Sequence, residues 1–109
     1  MFSNTEIEEG AIKHVLKKEP SLKRADKGLG YDLCSKNKFI EVKGTASNHK
    51  KQHIIFSGKK EYDAWKKYKR KYFLYRVINV GKPNIEIIQY KGYQIEPKRE
   101  FRWRVKINK

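Results

Sequence analysis

The sequence predicts an α/β (α+β) domain in which helices pack on one mixed sheet. Three observations predict it. Two segments carry helical periodicity, and several short segments carry the two-residue alternation of strands. They follow in the order α-β-β-β-α-β, with further strands toward the C-terminus, an order that suits a sheet covered by helices. The chain has 109 residues, enough for one small domain, read here as 1–109.

The elements follow in turn. "SNTEIEEGAIKHVLKK" reads as a helix. Ser3, Asn4 or Thr5 caps it, acids fill its first turn and lysines its last, as the helix dipole prefers, and Pro20 marks its end. Ile7, Ala11, Ile12, Val15 and Leu16 form its apolar side, and the helical wheel sets Glu8 near the middle of that side. "GYDLC" and "KFIEVKG" read as strands joined by the polar loop "SKNK", and "QHIIFS" as a third strand. Ser57 is placed to cap a second helix, "GKKEYDAWKKYKRK", with Tyr62, Trp65 and Tyr68 near one side. "YFLYRVINV" is a strand, "GKPN" a turn and "IEIIQY" its hairpin partner. "FRWRVKI" alternates strictly, with Arg102, Arg104 and Lys106 on one face.

Composition narrows the partners. Lys and Arg number 27 against 12 Asp and Glu, a formal charge of +15. A field that positive draws polyanions, and nucleic acid is the expected partner. No apolar run is long enough to span a bilayer, so no membrane is expected. The N-terminal segment is acidic and unlike a signal peptide. The single cysteine, Cys34, excludes an internal disulfide. The expected compartment is the cytoplasm, or the nucleus if the source has one.

In a chain this basic, the placing of carboxylates is informative. If "SKNK" closes a hairpin, Cys34 faces Phe39 and Asp32 faces Glu41. Lys43 shares the face of Glu41, while Tyr31, Leu33, Ile40 and Val42 take the other face as core. Opposed carboxylates repel unless a cation sits between them. Lys43 is one such cation, and a divalent metal is another, since Mg²⁺ is held by one or two carboxylates plus water and phosphate. Two readings stand at this point: a solvated ion cluster, or a metal-holding pair with its lysine. Glu8 is either a rim residue or a third acid facing the same metal.

Asp32 with Glu41-Val42-Lys43 resembles the PD-(D/E)XK nuclease signature, although Tyr31 stands where the motif's proline would be. "GYDL", "FIEVKGT", "EYDAW" and "YFLYRVINV" resemble, more narrowly, the NO VEIN C-terminal domain family. Archaeal Holliday-junction resolvases are similar in the same core. The resemblance implies a restriction-endonuclease-like fold and a metal-dependent nuclease acting on DNA. It implies that Asp32, Glu41 and the Val42 carbonyl bind Mg²⁺, or Mn²⁺ as a substitute. It further implies that Lys43 serves the reacting water and that Glu8 supports the metal. Lys59, Lys66, Lys67, Arg70, Arg102, Arg104 and Lys106 are the expected nucleic-acid contacts. A homodimer is expected, because symmetric cutting of a duplex or junction needs two sites. The alternative is a nucleic-acid-binding module that keeps the fold and does no chemistry. A basic adaptor for an acidic protein is a third reading.

Overall fold

The structure, a computed structural model, describes residues 3–48, 53–55, 58–99 and 103–107. Helix α1 spans Asn4–Lys18. Ser3 caps it, accepting from the Glu6 amide while the Glu6 carboxylate accepts from the Ser3 amide. Strands β1 (Lys23–Arg24), β2 (Leu33–Cys34) and β3 (Phe39–Gly44) follow, then β4 (His53–Ile55). Helix α2 is Lys59–Tyr68, continued by a short 3₁₀ turn. Strands β5 (Tyr72–Ile78), β6 (Glu86–Lys91), β7 (Ile95–Arg99) and β8 (Trp103–Ile107) complete the described fold.

The main sheet runs β1-β2-β3-β5-β6. Its β3–β5 pair is parallel and the others antiparallel, so it is mixed as the sequence predicts. Alternation along β3 and β5 divides the core between two faces. On one face Ala11, Ile12 and Val15 of α1 bury Leu33, Ile40, Val42, Tyr75 and Val77. On the other, Ala64 of α2 packs with Tyr72, Leu74 and Tyr90, joined by Ile95 and Ile107 from the C-terminal strands. Each fully buried aliphatic side chain stabilises the fold by about 1.5–3 kcal/mol. Gly44 lets α1 approach the end of β3, where a Cβ would meet that of Ala11 at 2.8 Å.

Three expectations are corrected. The segment "QHIIFS" supplies β4, but β4 is not a strand of the main sheet. One edge of β3 is taken by β2 and the other by β5, so β4 pairs with β8 in a second sheet of order β4-β8-β7. The third strand of the main sheet is instead Lys23–Arg24. Tyr31 does not share the face of Leu33. The Asp32 amide bonds to the Ile40 carbonyl at 2.8 Å, while Leu33 also stands opposite Ile40. Two residues opposing one is a β-bulge, which resets the alternation. Tyr31 therefore packs toward α2, edge-on to Phe39 at 5.1 Å and to Tyr68 at 5.9 Å. The residue at the N-cap of α2 is Gly58, with no side-chain cap bond, and Ser57 lies outside the described residues.

Candidate active site

The site forms where the β2–β3 hairpin ends. The hairpin register is as expected at Leu33–Ile40 and Cys34–Phe39, and the Ser35 amide closes the loop onto the Lys38 carbonyl at 2.9 Å. Because of the bulge, Asp32 is not the ladder partner of Glu41. Its Oδ2 instead accepts the Val42 amide at 2.8 Å, on the open edge of β3. A residue's amide and carbonyl leave a strand on the same edge, so the Val42 carbonyl emerges beside Asp32.

Glu41 projects from β3 toward α2, and only 4% of its surface is exposed. Burial, and then the nearby Asp32 carboxylate, push its pKa well above the ordinary carboxylate value. Lys43 opposes that shift: its Nζ lies 3.2 Å from Glu41 Oε2. The expected Glu41–Lys43 pairing is thus present. Arg76 stands beside Lys43 in the β3–β5 register and is buried.

A cleft of roughly 380 Å³ opens over this edge. Asp32 and Glu41 line it together with Glu8 from α1, Glu61 from α2, and Arg24 and Asp26 from the β1 segment. Five of the chain's 12 acids therefore line one cleft in a chain of charge +15, with Arg24 and Lys27 as the cations on the same lining. Glu8 reaches the cleft as an exposed residue and not as the inward-facing group the wheel suggests. It also borders a smaller cleft of roughly 250 Å³ lined by Val42 and Lys43.

Sequence reasoning missed Glu61 and Arg24. Burial raises the Glu61 pKa, opposed first by the Lys43 charge and then by the Gly58 backbone. A signal was present, since Glu61 is the acid of the first turn in a lysine-rich helix. Arg24 is held by both carboxylate oxygens of Glu9 and feels the charge of Asp32. It was hidden because a two-residue strand has no readable period.

Lys59, Lys66, Lys67 and Arg70 are exposed on α2 and the turn after it. Lys106 is half-buried on β8, Arg104 lies on β8, and Arg102 is outside the described residues. Trp65 and Tyr68 are partly buried against the α2-side core. Cys34 is half-buried and free.

The donors fit a hard divalent ion in type: two carboxylates and a backbone carbonyl, one carboxylate buried at a cost that a cation relieves. Among the described residues, no three His, Cys, Asp or Glu side chains gather closely enough to hold a metal unaided. Water and phosphate would complete the shell. No helix among the described residues is long and apolar enough to cross a membrane.

No curated protein and no solved structure matches the chain. A family model does, over residues 2–89, which takes in both helices, the acidic cleft and the main sheet up to Gln89. On that match, the chain belongs to the family described as Protein NO VEIN, C-terminal.

Proposed function

We propose that the chain is a metal-dependent nuclease of the PD-(D/E)XK kind, hydrolysing phosphodiester bonds in DNA. The observation that carries this reading is the buried Glu41, set between Asp32 and Lys43 in a cleft of acids. A main sheet of order β1-β2-β3-β5-β6, with a helix on each face and a parallel β3–β5 pair, supports the restriction-endonuclease-like comparison.

Asp32, Glu41 and the Val42 carbonyl would hold Mg²⁺, or Mn²⁺ in its place. Such an ion, when bound, polarises the scissile phosphate and lowers the pKa of a water. Asp32 also fixes the Val42 backbone through its second oxygen, so the donor edge is rigid. Lys43, tethered by Glu41, orients the attacking water or meets charge developing on the phosphate. Glu8, exposed on the cleft lining, would support such an ion from the rim. Lys59, Lys66 and Lys67 of α2 and Arg70 of the turn after it, with Arg102, Arg104 and Lys106, would neutralise the DNA backbone. A twofold dimer would supply the second site for symmetric cutting.

One observation favours a second reading, a binding module without chemistry. The Lys43 ammonium already stands 3.2 Å from Glu41, where a metal-free chain has a cation without any ion bound. Cleavage of labelled single-stranded, duplex and four-way-junction DNA with Mg²⁺, Mn²⁺ or EDTA separates the two. The nuclease reading expects metal-dependent cutting. Glu41→Ala should abolish it, and Lys43→Ala should slow it about 10²–10³-fold, as loss of a transition-state stabiliser does. DNA binding with no cutting under any metal would leave the binding module.

A further inference from the structure

Beside the acidic cleft lies a second one, of roughly 270 Å³, with a different lining. Gly28 and Tyr31 border both, so the two are neighbours across a single turn of chain. The second cleft is walled by Leu29 and Tyr31 on one side, and by Lys60, Ala64, Lys67 and Tyr68 of α2 on the other. Leu29 is 47% exposed, so its side chain forms an accessible part of the wall. Tyr31 and Tyr68 are fixed by ring packing, Tyr31 edge-on to Phe39 and Tyr68 stacked on Phe39 at 3.8 Å. Lys67 lies 5.2 Å from the Tyr68 ring centre. The wall's acid, Asp63, is engaged by Lys59 at 3.4 Å.

Rigid aromatic and aliphatic walls flanked by lysines suit a planar base carried on an anionic backbone. Position sharpens the inference. Tyr31 directly precedes Asp32, so a base on this shelf belongs to the nucleotide next to a phosphate held at Asp32 and Glu41. A base inside a duplex is stacked and paired and must leave the helix to enter such a pocket. We infer that the cleft between Leu29, Tyr31 and α2 is a subsite for one unpaired nucleobase, making DNA with a single-stranded segment the favoured substrate. The inference rests on the nuclease reading only for the role of the neighbouring phosphate. The base subsite itself is independent of metal.

The test is therefore binding in EDTA, with no cleavage. The probe is a short single strand carrying a fluorescent adenine analogue, compared with the same strand in a duplex. Leu29 is half exposed, so Leu29→Ala leaves the core intact. Tyr31→Leu is read only where its Tm stays close to wild type. Binding of the single strand should quench the analogue. Each variant should lose about tenfold more affinity for the single strand than for the duplex, the size of one stacked base. Absent quenching at saturation, equal losses on both DNAs, or no single-strand binding would each overturn the subsite. Quenching with selective loss, but no cutting with Mg²⁺ or Mn²⁺, would keep the subsite and sink the nuclease. Cutting without quenching would do the reverse.

Discussion

Asp32 accepts the amide proton of Val42 at 2.8 Å, on the edge of β3 just past the bulge that ends its pairing with β2. A side chain thereby continues what the backbone ladder stops doing. The bond ties the position of one acid to the backbone next to another, Glu41. It leaves Asp32 Oδ1 as the oxygen not used in that bond.

Glu41 makes stability depend on pH. Its folded pKa is raised well above 4.5, by burial first and by Asp32 second. Between 4.5 and that raised value, the folded chain keeps a proton that the unfolded chain has lost. Stability from this group is therefore full below 4.5 and falls as pH climbs through the window. Metal-free Glu41→Gln should melt above wild type near neutral pH, and the gap should close toward pH 4.5. Mg²⁺ at about a hundred times its Kd should stabilise wild type by about 2.7 kcal/mol and leave the variant unmoved. Thermal melts across pH, with EDTA and with Mg²⁺, check both; parallel pH curves would contradict the account.

Glu61 brackets Lys43 from the helix side. Glu61→Gln keeps the side chain's shape and removes its charge, so on the proposed nuclease reading DNA cleavage should fall about tenfold. Glu61→Asp should recover part of the loss. DNA affinity in EDTA should not fall in either variant. A fall in affinity as large as the fall in rate would make Glu61 a general structural residue instead.

Gly30 has φ +86°, and a Cβ there would stand 2.1 Å from the Lys60 carbonyl oxygen. Gly30→Ala combines a left-handed backbone with a clash against α2. It should cost more than about 2 kcal/mol. Denaturant titration measures this, and a loss below about 0.5 kcal/mol would show that the 28–31 turn can shift freely.

Trp65 donates from Nε1 to the Gly92 carbonyl at 2.8 Å, fastening α2 to the turn before β7. Trp65→Phe should cost about 1 kcal/mol and lower Tm by about 5 °C. Calorimetry decides it. An unchanged Tm would mean that water replaces the indole without penalty.

How much of this was legible depends on period. Helix α1 was readable because capping, charge order and apolar spacing agree over Asn4–Lys18. Strand β5 was readable as a buried run, and the hairpin register followed from its loop. Asp32, Glu41 and Lys43 do gather, because alternation fixes the face of β3 whatever happens to β2. The bulge at Asp32 was not legible, since two residues sharing one partner leave no mark on hydrophobicity. Nor was the exclusion of β4, because both edges of β3 are claimed by strands that a local reading cannot weigh against it. Glu61 and Arg24 reach the cleft only through tertiary packing, 20 residues after Glu41 and 8 before Asp32 along the chain.

The β4–β8 pairing has a consequence in time. His53 aligns with Lys106, and Ile55 with Arg104. During synthesis the segment around β4 leaves the ribosome long before its partner exists, while the main sheet needs nothing beyond β6. Until β8 arrives, β4 is a short apolar strand with a bare edge, the kind of segment that recruits copies from neighbouring chains. The crossover from β3 to α2 is thus closed last, and by strands lying outside the matched residues 2–89. Nascent chains halted before β8 should be those that self-associate, and completion of the final strand is what ends that exposure.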